Sequence, residues 1–309
     1  MGPSWSICAV WCMAFKMKIR KAVIPAAGLG IRVLPVTKSM PKEMLPIIDK
    51  PAIQYIVEEA ADAGITDILI ITNRGKNIIQ DHFDKSVELE SVLTRGGKHK
   101  ELEIIRRISQ LCNIHYIRQK EAKGLGHAVL CAKSFIGNEP FAVMYGDGVI
   151  ISETPAIKQL IDVYGEFGEG VVGIKAVPEN DISRYGSVKI EQIRDNIFKC
   201  TDMLEKPKAL SDALSLYAIM DRCILPPRIF NLLETTLPGA NGEIQLTDAM
   251  RQIAADKGMT AVNFEGVRYD MGNKFGILKA NIELGLKHPE IKESLKEYFQ
   301  TNEFKSLLQ

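Results

Sequence analysis

Short apolar runs alternate along the first part of the chain with longer segments in which apolar and charged residues have helical spacing. The longer segments predict a helix that begins at Pro51 and ends before Gly64, and helices at Leu125–Ser134 and Pro155–Phe167. Strands that alternate with helices are typical of parallel sheets. The pattern therefore predicts an α/β, Rossmann-like fold with a mixed but mainly parallel sheet flanked by helices. The predicted strands are Ala22–Ala26, Asp67–Thr72, Ile114–Ile117, Phe141–Tyr145 and Gly170–Val177.

The pattern changes after Val177. Two strands, Tyr185–Ile190 and Ile197–Leu204, surround a charged turn at Glu191–Asn196, which predicts an inserted β-hairpin that covers one edge of the sheet. The remaining predicted elements are a strand at Leu214–Met220, helices at Pro226–Glu234 and Thr247–Asp256, a strand at Ala261–Phe264, and C-terminal helices at Lys274–Leu286 and Glu290–Phe299.

No Pro- or Ser-rich linker and no internal repeat divides the sequence, so residues 17–309 are expected to form a single domain. The first 16 residues differ from the rest. Their apolar stretch, Ile7–Phe15, is too short to span a bilayer, and its basic residues follow it instead of preceding it. We expect residues 1–16 to be a disordered extension.

The composition and net charge of the chain limit the partners that it is expected to bind. The chain has 309 residues, 46% of them hydrophobic, with 39 Lys and Arg against 38 Asp and Glu. Because the net charge is only +1, no overall field attracts nucleic acid or an anionic membrane, and neither is expected as a partner. The six cysteines lack C-x-x-C or zinc spacing, which is typical of reduced thiols in a cytoplasmic protein.

A glycine turn with nearby cations follows the first predicted strand. Gly28 and Gly30 allow backbone amides to approach an anion closely, and Arg32, Lys38 and Lys42 can neutralise its charge. The glycines and cations together favour a binding site for a nucleoside triphosphate over a purely structural turn. A dinucleotide fingerprint is disfavoured, because Val33 stands where its third glycine belongs, and the chain has no Walker A motif.

Acidic residues supply candidate metal ligands. Asp147, between two glycines after the strand Phe141–Tyr145, suits either Mg²⁺ or an Asp turn, and Asp270 has the same two interpretations. Glu205 and Lys206 precede Pro207, which predicts an extended backbone at Lys206 and side chains on opposite faces. They fit either a ligand site or a surface ion pair.

Other residues limit the chemistry. Lys123 and Gly124 open a predicted helix after Gln119, so its amides form a second candidate contact for a base or phosphate. His127 follows, but a histidine near a helix start is more often structural than catalytic. The chain has no histidine metal spacing, catalytic-triad order or nucleophile elbow. Covalent catalysis is therefore unsupported.

The ordered motifs from Lys21 to about His288 resemble the bacterial UTP:glucose-1-phosphate uridylyltransferases, of the sugar nucleotidyltransferase family. The segments that carry the resemblance are Gly28–Pro35, Pro41–Pro46, His115–Glu121, Lys123–Ala128, Gly146–Gly148, Arg184–Gly186, Glu205–Pro207, Gly242–Ala249 and Arg268–Gly272.

The resemblance implies a role for each matching residue. Catalytic roles would fall to Arg32 and Lys42 on the triphosphate, to Asp147 as a Mg²⁺ ligand with Asp270 as the second metal residue, and to Lys206 on the sugar phosphate. UTP would be bound by Ala27, Gly28, Gly30, Glu43, Gln119 and Gly124. Glucose-1-phosphate would be bound by Gly186, Glu205 and Lys206. The implied cofactor is Mg²⁺, and the implied assembly is a homodimer or homotetramer.

Two positions depart from the family pattern. Ile31 replaces a threonine of the glycine loop and so removes a hydroxyl, and Gly148 replaces a second aspartate after Asp147. A non-catalytic regulatory paralogue, which binds an active uridylyltransferase, also alters this loop and is one alternative. A thymidylyl- or cytidylyltransferase acting on another sugar phosphate is the other, because it shares the phosphate-binding residues.

Overall fold

The computed structural model describes residues 18–239 and 242–307, so the predicted extension at 1–16 lies outside the described residues. The strands are β1 (Lys21–Pro25), β2 (Pro46–Ile47), β3 (Lys50–Pro51), β4 (Asp67–Thr72), β5 (Asn113–Arg118), β6 (Phe141–Met144), β7 (Gly148–Ile151), β8 (Gly170–Ala176), β9 (Gly186–Arg194), β10 (Ile197–Glu205), β11 (Tyr217–Leu225), β12 (Met259–Val262) and β13 (Val267–Asp270). The helices are α1 (Ala52–Asp62), α2 (Asn77–Phe83), α3 (Val87–Arg95), α4 (His99–Ile108), α5 (Leu125–Leu130), α6 (Lys133–Ile136), α7 (Ala156–Phe167), α8 (Ile229–Thr235), α9 (Leu246–Asp256), α10 (Lys274–Gly285), α11 (Lys292–Gln300) and α12 (Asn302–Ser306).

A central sheet has the strand order β5-β4-β1-β6-β11-β8-β12-β10-β9. Strands β10 and β11 run opposite to the other strands of this sheet, as the pairing of each neighbour shows. The predicted α/β fold class is confirmed, with the β9–β10 hairpin at one edge of the sheet. No helix in the described ranges combines the length and apolar character that a membrane crossing requires.

Alternating residues of the central strands pack on opposite faces of the sheet. On β1, Ala22 and Ile24 join one buried apolar cluster, which α1 and α7 cover, whereas Val23 joins the other, under α5, α8 and α9. This alternation follows from the two-residue repeat of a strand. Because both faces are covered, the carboxyl ends of the parallel strands are left as the edge at which a ligand can bind.

The limits of the predicted strands are correct to within one residue in the first half and for Ile197–Leu204, which is β10. Other strands of the second half are shifted. The strand predicted at Leu214–Met220 lies instead at Tyr217–Leu225, and the one predicted at Ala261–Phe264 lies at Met259–Val262. Strand β11 continues through two charged residues because Arg222 is fully buried and pairs with Glu59 of α1 at 2.6 Å. The predicted turn at Glu191–Asn196 is shorter, since β9 continues to Arg194 and β10 begins at Ile197.

Several elements were not predicted. Helices α2, α3 and α4 fill the connection between β4 and β5, and the predicted helix Leu125–Ser134 is divided into α5 and α6. Strands β7 and β13 form a separate antiparallel pair in which Asp270 lies opposite Gly148. This pair brings the two predicted metal ligands, Asp147 and Asp270, to neighbouring positions although they are far apart in the sequence.

Candidate active site

The glycine loop, residues 26–30 after β1, is held in place by hydrogen bonds that its backbone carbonyl groups accept. Side chains of three residues that lie outside the loop donate hydrogen bonds to four of these carbonyls. The bonds are Lys76 Nζ to Ala26 O (2.5 Å) and to Gly28 O (2.7 Å), Asn73 Nδ2 to Ala27 O (2.6 Å), and Thr37 Oγ1 to Gly30 O (2.8 Å). Within the described ranges, the amides of Gly28, Leu29 and Gly30 have no hydrogen-bond acceptor. These amides are therefore available to an anion.

Lys76 also pairs with Glu43 beneath the loop. Its Nζ lies 2.7 Å from Glu43 Oε2, and the side chains are 7% and 1% exposed. Burial raises the pKa of Glu43 and lowers that of Lys76. The second oxygen of Glu43, Oε1, is buried without a partner among the described residues. Glu43 lines neither of the cavities described below, so the structure places it behind the loop, where it holds Lys76.

Sequence reasoning missed Lys76. The signal for it was its position three residues after Asn73, in the turn that follows β4, because β4 ends at the same edge of the sheet as the glycine loop. Lys38, by contrast, is exposed in a short 3-10 helix, Val36–Lys38, and lines neither cavity.

Lys42 and Asp147 form the central ion pair. Lys42 Nζ lies 2.5 Å from Asp147 Oδ2, and the side chains are 15% and 22% exposed. Burial acts to raise the pKa of Asp147, but the charges of Lys42, Arg268 and Arg32 outweigh it and lower that pKa. Burial acts to lower the pKa of Lys42, but Asp147 and Glu43 outweigh it and raise the pKa. Both groups are therefore charged at neutral pH.

Arg32, Asp147 and Asp270 converge near Gly272. A methyl group built on Gly272 would lie 2.5 Å from Arg32 Nη2, 2.9 Å from Asp270 Oδ1 and 3.1 Å from Asp147 Oδ2. The two carboxylates thus lie around one point, which suits a divalent cation that takes oxygen ligands. The described residues contain no cluster of three or more His, Cys, Asp or Glu that could hold a metal by itself. A cation here would complete its coordination with phosphate oxygens and water.

Two adjoining cavities contain most of the predicted residues. The loop cavity, about 510 Å³, is lined by Ala27, Gly28, Gly30, Ile31, Lys42, Gln119, Gly124 and others. The strand cavity, about 630 Å³, is lined by Gly186, Glu205, Lys206, Asp221, Arg268, Asp270 and others. Arg32 and Asp147 line both cavities. The structure therefore brings Arg32, Lys42, Asp147 and Lys206 around one continuous cleft.

Gln119 and Gly124 lie together on the loop cavity. Gln119 Nε2 donates to Gly124 O at 3.1 Å and lies 3.0 Å from His127 Nδ1. Gly124 has φ +96°, and a methyl group on it would lie 2.7 Å from Glu243 Cβ, so glycine is required here. His127 orients the Gln119 amide, which leaves the amide oxygen available to a ligand.

Glu205 and Lys206 lie together on the strand cavity. Their charged groups are 3.5 Å apart, and Thr247 Oγ1 donates to Glu205 Oε2 at 2.6 Å. The prediction of an extended backbone at Lys206 is wrong, because its φ is +46°. The Lys206 amide donates to Tyr185 O at 3.1 Å, which continues the hairpin pairing while the chain turns. The turn directs both side chains into one cavity instead of onto opposite faces.

Arg268 and Asp221 also line the strand cavity, and sequence reasoning missed both. Arg268 donates from Nε and Nη2 to the two oxygens of Asp221, and its Nη1 lies 3.4 Å from the Tyr185 hydroxyl. Burial acts to lower the pKa of Arg268, but Asp221 outweighs it and raises the pKa. Arg268 could have been recognised from its position two residues before the candidate metal ligand Asp270. Asp221 lies inside a strand, and nothing in the local sequence marks it as a site residue.

Comparison with known proteins identifies the family. The family model described as "Nucleotidyl transferase" matches residues 21–285. This chain belongs to the nucleotidyl transferase family. Enzymes of this family generally use a divalent metal ion, which agrees with the paired carboxylates of Asp147 and Asp270.

Curated relatives of this nucleotidyl transferase are similar over nearly their whole length. The UTP–glucose-1-phosphate uridylyltransferase YngB of Bacillus subtilis (strain 168) is 53% identical over 285 residues, which cover 92% of this chain and 96% of the relative. The UTP–glucose-1-phosphate uridylyltransferase of Staphylococcus epidermidis (strain RP62A) is 53% identical over 283 residues, which cover 92% and 98%.

Solved structures agree with this assignment. A UDP-glucose pyrophosphorylase complexed with UDP-glucose superposes with a TM-score of 0.81 at 43% identity, covering 87% of this chain and 100% of the other. The UTP-bound UGPase from Acinetobacter baumannii superposes with a TM-score of 0.82 at 35% identity, covering 92% and 99%.

Proposed function

We propose that the chain transfers a uridylyl group from UTP to glucose-1-phosphate and so forms UDP-glucose and pyrophosphate. The observation that carries this proposal is the position of Arg32 and Asp147 on the wall shared by the two cavities. One cavity offers the loop amides, which have no acceptor among the described residues, together with Lys42 to a triphosphate. The other offers Lys206 and the Glu205 carboxylate to a phosphorylated sugar.

UTP occupies the loop cavity in this proposal. Ala27, Gly28, Gly124 and the Gln119 amide hold the uracil, while Gly30, Arg32 and Lys42 contact the triphosphate. Glu43 acts indirectly, through Lys76. Glucose-1-phosphate occupies the strand cavity with Glu205 on its hydroxyl groups, Lys206 on its phosphate, and Gly186 where a side chain would meet Glu205 Oε2 at 3.1 Å.

The reaction is a direct displacement. An oxygen of the glucose-1-phosphate monoester forms a bond to the α-phosphorus of UTP, and the bond from that phosphorus to the β-phosphate oxygen breaks. The attacking oxygen needs no general base, because a phosphate monoester has a second pKa of about 6 and is ionised at neutral pH. Arg32, Lys42 and Lys206 hold the two anions together and stabilise the charge of the transition state.

Asp147 and Asp270 would hold Mg²⁺ between the cavities. When bound, the ion supplies charge neutralisation for the phosphate oxygens. Lys42 donates a hydrogen bond to one oxygen of Asp147, so this lysine is expected to move onto a phosphate when the substrate and the ion bind.

The organisation around this site is also proposed. Residues 17–309 form a single domain that works in the cytoplasm as a homodimer or homotetramer. Within the described ranges, Cys112, Cys131, Cys200 and Cys223 are free thiols, which supports the cytoplasmic assignment. Light scattering during gel filtration measures the assembly, and a monomer at micromolar concentration would contradict it.

A nucleotide panel tests the function. Purified protein is given Mg²⁺, glucose-1-phosphate and either UTP, dTTP or CTP, and pyrophosphate release is measured. We expect UTP to be preferred strongly, because the family resemblance is to uridylyltransferases. Preference for dTTP or CTP would assign the chain to the corresponding transferases.

The second candidate is a non-catalytic paralogue, which Ile31 favours because its side chain, 69% exposed, lines the loop cavity where the family has a hydroxyl. That candidate would be established if the purified protein released no pyrophosphate from UTP and co-purified with an active uridylyltransferase.

A further inference from the structure

Asp221 has a backbone conformation that favours glycine. It lies where the register of β11 against β8 shifts between Ile219 and Cys223, and its φ is +49°. An L-residue keeps such a conformation when contacts of its side chain compensate for the strain. Asp221 is 5% exposed, so those contacts lie inside the protein.

The contact that compensates is the two-bond pair with Arg268. The two oxygens of Asp221 accept hydrogen bonds from Nε and Nη2 of Arg268. The ring of Tyr185 lies 5.4 Å from the guanidinium carbon. Asp221 therefore fixes the plane of the guanidinium group at the wall of the strand cavity.

Gly148, at the start of β7, lies directly against the Asp221 carboxylate. A methyl group built on Gly148 would lie 2.0 Å from Asp221 Oδ2, 2.4 Å from its Cγ and 2.7 Å from its Cβ. Any side chain at position 148 would thus occupy the volume of the Asp221 carboxylate. The absence of a side chain at Gly148 and the presence of a carboxylate at Asp221 are two parts of one arrangement.

We propose that Asp221 supplies, from β11, the carboxylate that an aspartate at position 148 would supply from β7, and that this carboxylate is a positioning group for Arg268. Arg268 is thereby held to receive the phosphate of the sugar substrate in the strand cavity. The identity of that ligand rests on the proposed function; the exchange of the carboxylate between two positions does not.

A four-member mutant cycle tests the exchange: the unmodified chain, Gly148→Asp, Asp221→Gly, and the double variant. Asp221→Gly relieves the strained backbone but leaves Arg268 without its partner. We expect KM for glucose-1-phosphate to rise about tenfold, while KM for UTP changes by less than about threefold. Gly148→Asp places two carboxylates in one volume, and we expect turnover and melting temperature to fall.

The double variant removes the overlap and restores one carboxylate. We expect its KM for glucose-1-phosphate to return to within about threefold of the unmodified chain. A double variant whose KM and melting temperature are no better than those of Asp221→Gly would overturn the proposal. This comparison holds even where Gly148→Asp fails to fold. Asp221→Asn, which keeps the volume without the charge, should give an intermediate KM.

The cycle also separates this proposal from the proposed function. If the unmodified chain forms no UDP-glucose, the proposed function fails. The melting temperatures alone then test whether the carboxylate can be exchanged between positions 148 and 221. The clash in Gly148→Asp and its relief in the double variant do not depend on the substrate. Additive melting-temperature changes in that case would overturn it.

Discussion

Lys42 donates a hydrogen bond of 2.5 Å from its Nζ to Oδ2 of Asp147, although 105 positions separate the two residues in the sequence. The pair joins the short 3-10 helix Lys42–Met44 to the turn after β6. Because Arg32 and Asp270 also approach this point, the arrangement places two carboxylates and two cations where the cavities meet.

Lys42→Ala is expected to reduce turnover by about 10²- to 10³-fold, or about 2.7–4 kcal/mol, which is typical of the loss of one preorganised charge contact. Steady-state kinetics with UTP and glucose-1-phosphate measure the loss, and circular dichroism checks the fold. Lys38→Ala is the matched control, since Lys38 lies on the same segment but outside both cavities. Equal activity of the two variants would remove Lys42 from the mechanism.

Lys206→Ala is expected to raise KM for glucose-1-phosphate and to lower turnover, because the side chain is 48% exposed in the strand cavity and its structural contacts are few. KM for UTP should stay nearly constant. Lys208→Ala, two residues further along on an exposed side chain, is the control. A larger effect on KM for UTP than on KM for the sugar phosphate would reverse the assignment of the cavities.

Lys76→Met is expected to destabilise the fold by about 3–5 kcal/mol, because it leaves Glu43 buried without its charge partner. It also removes the donors to two carbonyls of the glycine loop, so KM for UTP should rise. Urea unfolding and kinetics measure the two effects, with Arg74→Met as an exposed control. Adding Glu43→Gln should recover part of the stability. If it recovers none, the pairing does not explain the loss.

Acid should remove the contribution of Asp147 to stability. The pKa of Asp147 is lower in the folded chain than its ordinary value of 3.8, so the contribution is complete above that value and is lost as the pH falls through the folded pKa. The difference in free energy of unfolding between the unmodified chain and Asp147→Asn should therefore be constant above about pH 5 and shrink as the pH falls below about 4. Urea titrations at several pH values measure it. A difference that stays constant would show that Asp147 is not charged in the fold.

Sequence patterns predicted the parallel half of the sheet because its strands are apolar runs bounded by turns, as at Asp67–Thr72. The same patterns failed to predict strands whose buried residues are polar or charged. Arg222 and Asp221 looked like the end of a strand, yet they lie within β11 because Glu59 and Arg268 pair with them. Local pattern carries no information on such partners, since they lie far away in the sequence.

The same limit applied to the site. Gly28, Gly30 and Asp147 gave local signals, because glycines and a carboxylate at strand ends are typical of ligand loops. Lys206 was predicted from its motif, but its direction was not, since the positive φ depends on pairing across the hairpin. Lys76 and Asp221 act on other protein groups, and neither belonged to a motif that indicated a ligand. Arg268 lay in the Arg268–Gly272 motif, but the motif did not show that Asp221 is its partner.

The stereochemistry at the α-phosphorus distinguishes a single in-line displacement from a reaction through a covalent enzyme intermediate. UTP that carries a single sulfur of defined configuration on that phosphorus is converted with glucose-1-phosphate, and the product is analysed by phosphorus NMR. We expect UDP-glucose with inverted configuration, because the attacking and leaving oxygens lie in line in one displacement. Retention of configuration, or no labelled UDP-glucose at all, would contradict it.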